Sequence, residues 1–543
     1  MTKPMFKLSP VAAAVLGVVF SSPSFGGEAI VFDNGAKLDW KAATTYTLAT
    51  RLKSPDPLLL EVDGNSNFKK GALTANRLAL LLEGKLSKDR SGFVLSASTF
   101  YDDVYHGKTD FRGDALGTAN APGTFSSDAR RYHGGYSRIL DAYGYTSFGV
   151  GDGDGDATVR LGKHVVSWGE ALFFPAISLA QGPVDGSKSS IPGTETKDLL
   201  LPEDQLSLIY RPTPNWSLMA HVQYGWHPII TNAPGSFLNT SNQSGPGNSC
   251  LDRYYPNGSG GYSCSFGARQ GDDRPGDTGQ WGVGTRYRVT EETELGLYYL
   301  NYHDRIALPE VNVFADSDAL GGGTYRNRYF DNVKLIGASL STTLGMATLA
   351  GEVAYRRGAP ELVDTVVNPA SGASIPTPSR ANTLQTSINS FINFGRSSFA
   401  DGALLLAEVS YIDVRSVKKI KAPGVEALGA MADYFPASNK LSMAGHGLGF
   451  STSLYLNYDG VLPGWDLKVP ISYAHQLSGR TLLGPAGGQG ERSFSIGAGM
   501  TYNQNLSFEL TYLDFLGNAN LDMRREKALT DRDQLSLVVK YNF

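Results

Sequence analysis

Residues able to do chemistry are sparse in this chain. Asn301 and His303 share one face of Tyr298-Tyr-Leu-Asn-Tyr-His303, and a serine brought beside them would complete the parts of an ester hydrolase. The plainer reading makes them interfacial polar residues next to Tyr299. No Gly-x-Ser-x-Gly elbow and no His-Glu-x-x-His pair occurs, and the eight histidines are dispersed, so no catalytic residue and no enzyme activity is expected. Asp152, Asp154 and Asp156 are spaced like the opening of a calcium loop, but Lys163 stands where the bidentate glutamate is needed. A turn is the better reading, and Gly321-Gly-Gly323, without a following Lys-Ser/Thr, is a loop tip. Neither a metal nor a cofactor is expected. Cys250 and Cys264 are the only cysteines; in an exported chain they should form a disulfide worth ~3 kcal/mol of unfolded-state constraint.

The elements around these residues follow a two-residue period. Leu535, Leu537, Val539, Tyr541 and Phe543 share one face of the last segment, and Gln534, Ser536, Lys540 and Asn542 share the other. Trp216, Leu218, Ala220, Val222, Tyr224 and Trp226 repeat the theme with an aromatic at each end, as at two membrane interfaces. Throughout the chain this period marks about eighteen strands of roughly ten residues, with 16 the alternative count. Short connections (87–91, 151–156, 211–215, 290–292, 344–346, 396–402, 459–464, 503–505) alternate with long ones (53–72, 105–137, 168–203, 227–278, 305–330, 358–381, 415–446, 477–491, 517–530). A soluble sandwich has no reason to lengthen every second loop. The expectation is an all-β transmembrane antiparallel barrel over 27–543, with 227–278 a long external loop. With 48 basic and 52 acidic residues, no nucleic-acid-binding footprint is present.

Two features place this barrel in the outer membrane of a Gram-negative cell. Residues 1–26 read as a signal peptide, with Lys3 and Lys7, the apolar run Val11 to Phe20, and Ser24-Phe25-Gly26 at the cut. The closing strand with Tyr541 and Phe543 reads as the signal for the barrel assembly machinery, and outer-membrane lipid is the surrounding partner.

Within the lumen, the segment 168–203 is too apolar to stand in water, so it folds inward as a constriction or plug, or packs over the rim as a lid. In either case Trp168, Glu170, Phe173 and Phe174 should line the lumen mouth, with a short helix near Lys197 capped by Thr194. Strand parity turns Arg77, Lys85, Arg286, Arg356, Lys468 and Lys540 inward together with Glu83, Glu352, Glu408 and Glu509. Interleaved signs favour a cross-lumen lattice of ion pairs that holds the wall and plug together over a selectivity ring.

Several blocks resemble a family of Gram-negative outer-membrane proteins known only as a domain of unknown function. They include Gly162-Lys-His-Val-Val-Ser-Trp-Gly-Glu170, Pro192-Gly-Thr-Glu-Thr-Lys-Asp-Leu-Leu-Leu-Pro202, Phe100-Tyr-Asp-Asp-Val-Tyr105, Gly351-Glu-Val-Ala-Tyr-Arg356 and Asp531-Arg-Asp533. This chain has Ala171 and Phe173-Phe174-Pro175 where the family often reads Ser and a Gly-rich continuation. The resemblance implies traffic in lipids or other apolar molecules, with a periplasmic lipoprotein-like carrier and an inner-membrane exporter as partners. The expected function is therefore a channel for hydrophobic or amphipathic compounds. A general porin for polar solutes and an assembly or adhesion protein acting through its external loops are the alternatives.

Overall fold

A computed structural model describes residues 27–111, 123–151, 155–189, 191–259 and 261–543. The signal-peptide reading, and Asp152 and Asp154, lie outside these residues. The wall strands are β1 (Lys37–Arg51), β2 (Leu73–Lys88), β3 (Ser91–Asp102), β4 (Gly135–Gly149), β5 (Asp156–His164), β6 (Glu203–Thr213), β7 (Trp216–Gln223), β8 (Gln280–Arg288) and β9 (Thr293–Tyr302). They continue as β10 (Val333–Leu344), β11 (Ala347–Asn368), β12 (Ala373–Gly395), β13 (Gly402–Val417), β14 (His446–Leu462), β15 (Trp465–Gly479), β16 (Arg492–Tyr502), β17 (Leu506–Leu516) and β18 (Gln534–Asn542).

Each strand pairs antiparallel with its sequence neighbours, and β1 pairs with β18 from Ala43↔Asn542 to Arg51↔Gln534. The barrel is thus closed with 18 strands. Ile30–Val31 adds only a short tag on β1. Closure satisfies the backbone groups that an open sheet edge would expose, the condition for strands to cross hydrocarbon. Leu78, Leu82 and Leu86 of β2 and Phe93 and Leu95 of β3 point outward and stay exposed, forming part of an apolar outer band. No helix among the described residues is long and apolar enough to cross a membrane.

Turns at one end are tight, and the loops at the other end are long. One expected long loop is not a loop. Residues 358–381 lie in the ribbon formed by β11 and β12, which pair through Pro360↔Arg380, Leu362↔Pro378 and Asp364↔Pro376 before turning at 369–372. Pro376 and Pro378 are tolerated because β12 pairs with β11 alone there, its ladder to β13 beginning at Ala381↔Val417.

Candidate functional site: a plugged lumen with two adjacent cavities

The connection from β5 to β6 crosses the bore. Its first half is held by carboxylates of the wall. Glu352 of β11 accepts the Glu170 N–H at 2.8 Å through Oε2 and the Ala176 N–H at 3.1 Å through Oε1. Glu408 of β13 accepts the Leu172 and Phe174 N–H groups at 2.9 and 3.3 Å, and that of Phe173 as well. Wall donors complete the grip: Arg356 to the Ala176 carbonyl at 2.8 Å, Gln385 to Phe174 at 3.0 Å and Asn389 to Glu170 at 2.7 Å. Gly169 has φ +95°, and a Cβ there would run into the Glu352 carboxylate, so glycine permits this approach.

The second half is fastened to the opposite wall. Arg138 of β4 pairs with Asp185 at 2.7 Å and Asp198 at 3.2 Å. Lys188, fully enclosed, also reaches Asp198 at 3.2 Å. Burial pushes its ammonium pKa down to about 8, with Asp198 opposing that shift. Lys197 bridges Glu83 of β2 at 2.5 Å and Asp141 of β4 at 2.9 Å, and Lys540 of β18 pairs with Glu195. Gly193 has φ +78°, and a Cβ there would lie 2.6 Å from Val538. In a ring of 18 strands β3 and β12 are diametrically opposed, so a segment anchored to β11–β13 and then to β1–β4 spans the lumen.

This arrangement revises several expectations about individual residues. Trp168 does not line the mouth; it packs on the wall, edge-on to His221 at 5.0 Å and stacked on Tyr298 at 5.9 Å. Glu170 faces Arg286 of β8 at 3.5 Å, and Phe174 is buried with Phe173, Leu406 and Tyr455. Apolar surface inside a wet lumen is best covered by wall side chains, which explains Trp168 and Phe174, while charge pairing with Arg286 explains Glu170. The helix is only Thr196–Leu199; its N-cap is Glu195, without a side-chain cap, and Thr194 instead lines a cavity. The inward charges tie the wall to the plug or serve local partners: Glu83, Arg286 and Lys540 pair with Lys197, Glu170 and Glu195 of the plug, Arg77 lies over Phe100 at 3.7 Å, Lys85 near Tyr145 at 5.7 Å and Lys468 over Tyr455 at 4.3 Å, while Glu509 lines a cavity described below. Arg138, Asp185 and Lys188 were missed by the sequence reading. Arg138 has an inward charge's parity on β4, and that signal was available.

Two cavities flank the plug. The outer one, about 260 Å³, is lined by Leu172, Phe173, Leu179, Leu201, Ile306 and Leu482, with Asn239 and Ser241 at its edge. Residues 232–244, part of the long 227–278 connection, thus fold over the mouth. The second, about 230 Å³, follows the inner face of β14–β18 past Tyr455, Ser472, Ser495, Glu509, Thr511 and Ser536. Ser189, Thr196 and Leu199 line both, so the two cavities abut across these three residues.

The remaining candidates are structural. His303 receives the Asn332 N–H on Nδ1 at 3.1 Å and donates Nε2–H to the Thr278 carbonyl at 2.9 Å, so neither nitrogen is free for catalysis. Asn301 donates to the Gly279 carbonyl at 2.8 Å. Asp156 pairs with Arg90 at 2.7 Å, and no metal-holding cluster occurs among the described residues. Cys250 and Cys264 form a disulfide within the 224–279 connection.

The family model described as protein of unknown function (DUF1302) matches residues 7–543. The chain belongs to that family. No curated protein matches this DUF1302 member. Its barrel is similar to the crystal structure of OccAB1 from Acinetobacter baumannii, at 11% identity over 95% of this chain and 99% of that one, with a TM-score of 0.44. It is also similar to OpdK of Pseudomonas aeruginosa solved with vanillate (12% identity, 93% and 98% covered, TM-score 0.39). A third similar structure is a BenF-like porin from Pseudomonas fluorescens Pf-5 (10% identity, 93% and 98% covered, TM-score 0.43).

Proposed function

We propose that this DUF1302 barrel is an outer-membrane channel for hydrophobic or amphipathic compounds. The carrying observation is an apolar outer cavity and a second cavity along the inner wall that share Ser189, Thr196 and Leu199 as lining; in this reading those residues form the neck between them. An apolar guest gains about 25 cal/mol for each Å² it removes from water, so the outer cavity is a capture site and the neck controls passage. The tight turns face the periplasm in this reading, and a lipoprotein-like carrier and an inner-membrane exporter would engage that end.

Thr196→Trp tests the route. In intact cells lacking the chromosomal copy, the native chain should speed uptake of N-phenyl-1-naphthylamine, an apolar dye that brightens in lipid, and the variant should abolish that gain. Uptake unchanged by the variant would refute the route. Faster entry of polar nitrocefin with no gain in dye uptake would assign the chain to the general porin class instead.

A further inference from the structure

The wall beside the second cavity has a seam. Between β15 and β16 the ladder runs from Trp465↔Tyr502 to Lys468↔Gly499 and resumes at Ile471↔Ile496, leaving Val469, Pro470, Gly497 and Ala498 unpaired. The register is unchanged across the gap, whereas the other interruptions in the described wall ladders are accompanied by register shifts. Pro470 pairs normally with Tyr455 of β14, so the hydrogen-bond donor it lacks is the one that would face β16. Gly497 is the middle residue of β16, which puts the gap deep in the wall, where proline is otherwise avoided.

Pro470 also lines the second cavity, as do Ser472 and Ser495, which are directly opposed across the seam. On the inward face of β16 the next positions are Gly497 and Gly499, and the Pro470 ring, 3.1 Å from where a Gly497 Cβ would stand, covers the gap on the lumen side. Ile496 and Ala498 on its outward face are exposed.

We propose that the β15–β16 seam is a lateral exit by which an apolar or amphipathic molecule passes from the second cavity into the bilayer. This rests on the channel reading above and names its outlet. Continued travel through the lumen would keep such a molecule against Glu509, Thr511 and Ser536. Sideways lies hydrocarbon, which an apolar molecule prefers to a polar passage. The wall already lacks a cross-strand hydrogen bond there, so parting the strands locally at Pro470 breaks one bond fewer than along a continuous stretch.

The test closes the seam covalently. In an antiparallel pair of this kind, opposed Cα atoms about 5.5 Å apart suit a disulfide. Cells expressing Ser472→Cys/Ser495→Cys are compared with cells expressing the native chain, both oxidised and then reduced, with cross-linking verified by mass spectrometry. The expected result is loss of the channel-dependent dye uptake when oxidised, return to the native rate when reduced, and unchanged nitrocefin entry in both states. Dye uptake at the native rate through the verified cross-link would overturn the exit while leaving the channel intact. A native chain that gives no dye uptake above the deletion strain would overturn both.

Discussion

Glu352 and Glu408 take on their role because of where their oxygens point. Together they accept N–H groups from Glu170 to Ile177, a stretch with too little regular structure to satisfy its own backbone. A hydrogen bond to a charged acceptor contributes about 1.5–3 kcal/mol, so losing both carboxylates costs more than a lumen loop can absorb. Glu352→Ala/Glu408→Ala should therefore release the plug from β11–β13 while leaving the wall folded. Single-channel recordings in planar bilayers should show larger and noisier conductance than the native chain. A conductance equal to native would mean that apolar packing alone seats this segment.

Among the elements, the β7–β8 connection departs furthest from a loop in water. His133, just before β4, accepts the Ala233 N–H at 3.1 Å and ties this connection to the rim. Burial pushes the His133 pKa down to about 4, with Asp185 opposing the shift and Arg77 adding to it. Unfolded, the imidazole titrates near 6.5, so its contribution is intact above pH 6.5 and is lost as the pH falls through 4. The loss amounts to roughly 3 kcal/mol. Hydrogen exchange at 232–244 should accelerate across that window, and His133→Gln should flatten the dependence. Farther along the connection, Cys250→Ser/Cys264→Ser should increase its susceptibility to protease without changing dye uptake, because the disulfide-linked residues line neither cavity.

At the scale of the whole molecule, wall and plug are separable in principle. The wall closes through its own ladders from β1 to β18, and none of those ladders passes through residues 171–198. Replacing 171–198 by a short Gly/Ser linker should leave the β-sheet circular-dichroism spectrum unchanged and open a pore of much higher conductance. Loss of the folded barrel would show instead that the plug is needed to close the ring.

Strand period, loop rhythm and inward parity were legible without coordinates, because each depends on neighbours along the chain: alternate side chains face opposite sides whatever the strand pairs with. That reading singled out 168–203 as a plug or a rim lid and gave Glu352, Arg356 and Glu408 inward parity. It could not see that Trp168 and Phe174 turn to the wall, that 358–381 rises as paired strands, or that 232–244 roofs the outer cavity. Those outcomes depend on which surfaces meet across the bore, between residues as far apart in sequence as Glu195 and Lys540. Burial and hydrogen-bond satisfaction are settled only when the ring has closed, so tertiary structure decided the neck, the anchors and the seam at Pro470.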